Sequence, residues 1–433
     1  MLNCEDRFCL FLGCVALWSA GMRVAHFNSL LEGGSAMVML RLHEALLRDG
    51  IASRIYYRRG QPQGNHSRQL EFVGKVQRVA ERIKDRVESE ILIDHRNYFG
   101  TLWSPVKTRF EEQKDAADIF HLHNISHWMD LPTFMASVPD PVPIVLTIHD
   151  MGNLAGGCHL YSGCVGYQQE CRGCPLLRTP FKWLAHWEWQ RKQKSLGSRR
   201  LHVVGNSRWT TSIARSASVF RNAAGCETIY PALNPDEFVQ IEKKTAKEVL
   251  GLPTTRPIVG FGCSELTDVN KDFASFLDLL DRVADKTEVE GLVFGNGFRL
   301  DRSVRTRIRS LGKLASPQLL SLAYSAMDVL VVTSTMETFG QVAIEAQACG
   351  TPVCAFEVGG IPDAVRNGVS GFLVPHGDMA GLTEKVLELL GSVEKRACFA
   401  TYAREWVRSE FAIERAKEAY LQVYRNALET PLN

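Results

Sequence analysis

Strong charge of either sign is missing from this chain. Its 433 residues carry 50 Lys and Arg against 48 Asp and Glu, a formal net charge of +2. That balance argues against binding nucleic acid through bulk charge. A membrane-length hydrophobic run is missing at the start. The apolar stretch Cys9–Ala20 (CLFLGCVALWSA) falls short of the roughly 20 residues of a spanning helix. Glu5 and Asp6 beside Arg7 spoil the positive flank of a secretory signal. Met22 opens MRVAHF, which reads as a first strand. Residues 1–21 are therefore expected to be an upstream extension, with a weak anchor and a cleaved signal as the other readings. No internal repeat or low-complexity block stands out. What is present is ordinary for a globular protein of two or three domains, with 45% hydrophobic and 23% charged residues.

From Met22 onward, strand-like and helix-like segments alternate. MRVAHFNSL precedes a turn at Gly33-Gly34. AMVMLRLHEALLRDG then carries apolar residues at helical spacing and stops at Gly50. IASRIYYR, DIFHLHN (118–124), PIVLTIHD (143–150), LHVVGNS (201–207) and GCETIYPAL (225–233) read as further strands. A second series begins near Arg256 with RPIVGFGCS, a helix in KDFASFLDLLDRVADK, and strands in VEGLVFGNG, DVLVVTS and TPVCAFEVGG. Repeated strand–helix units predict parallel sheets covered on both faces. Two α/β domains are expected, at 22–235 and 250–400, with ligands at the carboxyl ends of their strands. A helical segment at 401–433 is expected to cross back to the first. Residues 75–114 interrupt the rhythm with Lys75, Arg78, Arg82, Lys84 and Arg86 among Val76, Val79, Ile83 and Val87. This basic amphipathic stretch reads either as a solvated face or as a contact for an anionic membrane.

The stretch ETFGQVAIEAQACGTP (337–352) sets Glu337 and Glu345 eight positions apart across a helix start. Free N–H groups at such an N-terminus suit a diphosphate, and Gly340 lets the backbone approach it. One carboxylate per sugar, with phosphates between, explains the spacing. The plain alternative is a capping Glu337 and a surface Glu345.

The segment TSTMETFGQVAIEAQACGTPVCAFEVGGIPDAVRNGVSGFLV (333–374) resembles the family-four retaining glycosyltransferases, of GT-B fold, over some forty residues. The resemblance implies two doubly wound Rossmann-like domains facing across a cleft that holds a nucleotide sugar. It places Glu337 on the transferred sugar, Glu345 on the ribose, and the backbone of Phe339, Gly340 and Gln341 on phosphate and sugar. Lys271, in SELTDVNKDF, matches the family lysine on the diphosphate. An arginine often precedes that lysine in the family; here Cys263, Ser264 and Glu265 stand instead, and Arg299 is another basic candidate. Gly33 and Gly34 match the glycine loop near the donor. His149 matches the histidine at the reaction centre, while His123, Asp150 and Asn206 fall on the acceptor side. No catalytic metal is implied, because a helix end and Lys271 can offset the diphosphate charge.

The 12 cysteines are mostly scattered in apolar runs and read as buried thiols. Without a clear export signal, a reducing compartment is the default. Cys158, Cys164, Cys171 and Cys174 cluster within an insertion at 152–180, with gaps of five, six and two residues. The last pair is a good metal clip; a structural zinc, two disulfides and free thiols all remain open. The run HDM, GGCH and C-x-x-CP resembles a subgroup of the same family that includes exopolysaccharide and colanic-acid enzymes. The expected function is transfer of a sugar from a nucleotide donor to a glycan or lipid-linked acceptor. The expected place is the cytoplasm, including the inner face of the plasma membrane. An epimerase of the same fold and an inactive nucleotide- or glycan-binding scaffold are the rivals. The absent arginine and Gly152 after HDM keep the scaffold reading open.

Overall fold

The computed structural model describes residues 21–61, 64–69, 75–88, 92–93, 98–104, 117–126, 128–161, 163–234, 236–300 and 303–430. Of the extension expected over residues 1–21, residues 1–20 lie outside them, as does much of the segment 89–114. The described chain forms two units. The first runs to Asn206, takes in Thr211–Ile229 and regains the chain from Lys417; the second comprises Ser207–Thr210 and Tyr230–Ala416.

The strands of the first unit are β1 (Arg23–Leu30), β2 (Ala52–Arg59), β3 (Ser67–Gln69), β4 (Ile119–Leu122), β5 (Ile144–Ile148), β6 (Leu201–Gly205) and β7 (Gly225–Thr228). They pair in parallel in the order β3-β2-β1-β4-β5-β6-β7. IFHL, IVLTI and LHVVG are buried along their whole length, as strands covered on both faces must be. Helix α1 (Gly34–Arg48) starts two residues before the apolar periodicity does, because Gly33 at φ 89° turns the chain into it. It ends before Gly50, whose φ of 74° is left-handed.

Helix α2 (Lys75–Arg86) is amphipathic in an unexpected sense. Its polar residues Glu81 and Lys84 are buried, while Val79 and Ile83 are 53% and 59% exposed. Glu81 is held by Arg58 and Ser104, and Lys84 pairs with Glu88 at 3.0 Å. Lys84 therefore belongs to no basic surface; the ion pairs draw the polar face inward. Helix α3 (Trp183–Leu196) buries Glu188 and Lys192 completely.

The second unit has β8 (Ile258–Glu265), β9 (Glu290–Asn296), β10 (Ile308–Ser310), β11 (Val329–Val332), β12 (Val353–Phe356) and β13 (Gly371–Val374). All pair in parallel, in the order β10-β9-β8-β11-β12-β13. Alternation divides β11 between two cores. Val329 and Val331 join Phe261, Phe276 and Cys354, whereas Leu330 and Val332 join Leu292, Ile344 and Phe339. Helices α4 (Phe273–Ala284) and α5 (Gln341–Ala348) follow the strand ends that carry the candidate residues.

The C-terminal helical segment is two helices, Val393–Glu410 and α6 (Ile413–Glu429). The chain passes to the first unit at Lys417, later than residue 401. The reason is apolar burial: Trp406, Val407 and Phe411 complete a core of the second unit. Tyr420 and Tyr424 complete the first, bonding Thr147 Oγ1 at 3.0 Å and His121 Nδ1 at 2.8 Å. Among the described residues no helix is long and apolar enough to cross a membrane.

Candidate functional site

In the second unit, β11 ends at Val332 and the loop TSTMETFG leads into α5. Glu337 lies in that loop, its Oε1 2.5 Å from Lys271 Nζ and 2.9 Å from Ser334 Oγ. Burial opposes the charge of Lys271, but the adjoining Glu337 carboxylate outweighs it and raises the lysine above its ordinary pKa. This ion pair is set at a strand end, where such sheets bind ligands. The two loops are stitched together. Asn270 Nδ2 donates to Met336 O at 2.7 Å, and Thr335 Oγ1 donates to Asn270 Oδ1 at 2.8 Å. Thr333 Oγ1 donates to Asp272 O at 2.8 Å, where Asp272 has a left-handed φ of 50°. A non-glycine residue held there stores strain of order 1 kcal/mol or more. Asn270, Thr333, Ser334 and Thr335 escaped the sequence reading; only their position at strand ends signals them.

Gly340 caps α5 with a φ of 100° and no side-chain cap, so the helix start presents backbone N–H groups. Gln341 is its first residue. Phe339 has only its backbone to offer a ligand: its ring is 2% exposed and packs on Tyr230 and Phe411. Glu345 is not a surface residue. It is 9% exposed, and its Oε2 accepts a hydrogen bond from the buried Tyr324 hydroxyl at 3.0 Å. Burial, then the Glu345 charge, keep that phenol protonated well above its ordinary range. A carboxylate has about four acceptor positions, and Tyr324 takes one of them and orients Glu345. Gly359 and Gly360 close over the loop; a Cβ on either would lie 2.0 Å from Glu337 O or 2.1 Å from Thr338 O. Cys263 is buried, while Ser264, Glu265 and Arg299 are exposed.

The first unit gathers histidines. In the parallel register His26 stands beside His121, and the period-two alternation brings His123 and His149 to the same face. His26 Nδ1 lies 3.2 Å from His123 Nε2, and His123 Nδ1 lies 3.1 Å from His149 Nε2. His123 is 0% exposed, so it stands behind His149 and does not line a surface. Burial lowers His149 to about 4, against the pull of Asp150. Ring nitrogens of His26, His121 and His123 lie within 4.8 Å of one another. They are engaged with one another, Tyr424 and Thr147, which fits a hydrogen-bonded core better than an ion. Asp150 accepts from Gly152 N at 2.7 Å and lies 3.0 Å from His159 Nδ1. Burial raises its pKa, but His159 and that N–H bond bring it below the ordinary value. Gly33 and Gly34 are exposed at the start of α1, and Asn206 is buried just after β6.

Beyond His149 the chain turns through the cysteine-rich insertion. Gly156 has no room for a side chain: a Cβ would meet Ala185 O at 2.3 Å and Cys171 Cβ at 2.8 Å. Lys192 Nζ donates to Gly152 O at 2.5 Å and Ala155 O at 2.7 Å, tying the insertion to α3. Burial, followed by the neighbouring cysteines, pushes the Cys158 thiol up to about 12.

Residues 256–392 match the family described as glycosyl transferases group 1. The D-inositol 3-phosphate glycosyltransferase of Mycobacterium avium is 31% identical over 213 residues, 47% of this chain and 50% of that protein. The chain thus spans about half the length of the curated relatives it matches. Among solved structures, the sucrose-phosphate synthase of Thermosynechococcus elongatus is similar with a TM-score of 0.63 and 20% identity, covering 93% of this chain and 98% of that one. Anabaena HepE in complex with UDP and glucose is similar with a TM-score of 0.62 and 15% identity, covering 93% and 99%. The two parallel-sheet, Rossmann-like units have the GT-B architecture, and residues 256–392 form a glycosyl transferases group 1 domain.

Proposed function

We propose that the chain is a retaining hexosyltransferase that moves a sugar from a nucleotide donor to a hydroxyl of a glycan or lipid-linked acceptor. The observation that carries this reading is the Lys271–Glu337 pair beyond the end of β11, together with the hydrogen bond that Tyr324 gives to Glu345 of α5. Glu345 takes the ribose hydroxyls, and the start of α5 takes the diphosphate with Lys271. Glu337 takes the hydroxyls of the transferred sugar. In the first unit His149 and Asp150 orient sugar and acceptor. As the bond from anomeric carbon to diphosphate oxygen breaks, the acceptor oxygen bonds to the same face of that carbon. The acceptor proton passes to the departing phosphate oxygen. Lys271 and the helix N–H groups stabilise the charge that develops there.

The group 1 match and the named activity of the curated relatives support the transfer chemistry. The cysteine motif supports placement in polysaccharide assembly of the exopolysaccharide type, in the cytoplasm. Peripheral membrane contact is supported by α2, which exposes Val79 and Ile83 beside Arg82 and Arg86. A basic rim around an apolar face suits anionic lipid. The test begins with calorimetric binding of UDP, GDP, ADP and dTDP to wild type and Glu345→Ala. Binding of one nucleotide, weakened in the variant, supports the donor site and selects sugars for an acceptor screen. Binding of none moves the scaffold reading ahead. Turnover of a nucleotide sugar without acceptor, to its epimer, moves the epimerase ahead.

A further inference from the structure

We infer that Cys158, Cys164, Cys171 and Cys174 bind a single zinc ion that locks the insertion following His149 and Asp150. All four line one cavity of about 30 Å³. That volume has room for one ion or water. They are all free thiols, and Cys158 is within electrostatic reach of the other three. The main chain turns N–H groups onto the sulfurs. Gly166 N donates to Cys164 Sγ at 3.3 Å, and Gly156 N donates to Cys171 Sγ at 3.1 Å. Cys174 receives backbone hydrogen bonds from Leu176 and Leu177. Main-chain donors to a sulfur stabilise it when it is electron-rich, as a thiolate ligand is, and orient it. Cys171 holds a left-handed φ of 51°, a cost of order 1 kcal/mol or more without a compensating bond.

Charge balance points the same way. Four thiolates on Zn²⁺ carry a net charge of −2. Lys192, which is 0% exposed, is within electrostatic reach of Cys158 and Cys171, and Lys182 of Cys174. The Lys192 ammonium also faces the buried Glu188 carboxylate at 3.5 Å, so it is shared between that carboxylate and the sulfurs. Tetrahedral Zn–S bonds of about 2.3 Å set sulfurs about 3.8 Å apart. Among the described residues only the histidine trio brings three ligand atoms within 4.8 Å of one another. Zinc binding therefore draws the sulfurs inward, and four thiol protons leave as it does so. The consequence reaches Asp150 through covalent and hydrogen-bonded neighbours. Cys158 adjoins His159, whose ring meets Asp150 and whose O accepts from Met151 N at 3.0 Å.

The experiment is elemental analysis of the full chain purified without added metal, followed by mercurial titration of the native protein. The expected result is about one zinc per chain, released as four thiol equivalents are consumed. Cys164→Ser/Cys174→Ser is expected to lose zinc, and Cys398→Ser, at an exposed cysteine, to retain it. If the double variant does not fold, the wild-type titration still decides. Zinc far below one equivalent overturns the inference. So does iron in its place, loss of the four thiols as two disulfides, or zinc retained by the double variant. A zinc-loaded chain that binds no nucleotide would leave this site standing while removing the transferase reading.

Discussion

Acid should unfold the first unit before the second. Eleven of the twelve histidines precede residue 203 and only His376 lies later. Burial lowers His43 from 6.5 to about 4, with His66 adding to it, and lowers His149 to the same value against Asp150. Burial also drives His26, His121 and His123 well below 6.5, helped by one another and by His43 and His149. The folded state binds these protons more weakly than the unfolded one. Stability is therefore full above pH 6.5 and is lost as pH falls from 6.5 toward 4. For one group with these two values, moving from pH 7 to pH 5 costs about 2 kcal/mol. His43 and His149 together cost about 4 kcal/mol, a large part of the roughly 5–15 kcal/mol that holds a domain. The three deeper histidines add to this. Peptide-resolved hydrogen exchange at pH 7 and pH 5, corrected for intrinsic rates, separates the units. Residues 118–123 and 144–149 should lose protection by two or more orders of magnitude, while 329–332 and 353–356 change little. Equal losses in both units, or none in the first, would refute the argument from buried neutral imidazoles.

Other perturbations test the second unit and the insertion. Lys271→Ala leaves Glu337 without its cation and should lower kcat/KM by about 10²–10³, with the transferase assay as readout and Tm as the control for folding. Tyr324→Phe removes one hydrogen bond to a carboxylate and should weaken nucleotide binding by about tenfold, read by calorimetry; an unchanged Kd would remove Tyr324 from the site. Gly360→Ala forces a Cβ to 2.1 Å from Thr338 O and should cost about 2–3 kcal/mol, seen in denaturant unfolding. Lys192→Met strips two buried carbonyls and Glu188 of their cation and should cost about 3–5 kcal/mol, measured the same way.

Much of this architecture was legible because its signals are local. Apolar runs such as IVLTI and VLVV are short, β-rich and bounded by turns, and they became the central strands. The short edge strands β3 and β10 carry no such run; SRQ and IRS are polar, and only pairing with a neighbour makes them strands. The inverted face of α2 was hidden for a related reason. Hydrophobic periodicity presumes that apolar side chains turn inward, but Arg58 on β2 supplies a partner that makes burying Glu81 affordable. No pattern within the helix contains Arg58. The switch of units at Lys417 likewise depends on which core Trp406 and Phe411 complete.

The same distinction explains why the spacing of Glu337 and Glu345 was informative yet incomplete. The spacing of eight puts one carboxylate in the loop before α5 and the other in the second turn of that helix, and that much is intrinsic to the segment. What makes them chemically different is not. Glu337 sits in a loop held by Asn270 and Thr335 and faces Lys271, from a segment some sixty residues earlier. Its charge is met by a cation that a diphosphate can claim in turn. Glu345 is nearly buried and faces a phenol that stays protonated, so a neutral donor orients it. A carboxylate can accept hydrogen bonds from hydroxyl donors at about four positions. Replacing it with Gln removes the charge and keeps the shape. Glu345→Gln should therefore weaken nucleoside diphosphates carrying a ribose far more than it lowers Tm, whereas Glu337→Gln should spare nucleotide binding and lower turnover. If both substitutions weakened the nucleotide equally, the division of labour between the two glutamates would be wrong, and the pair would have to act on one ligand group together.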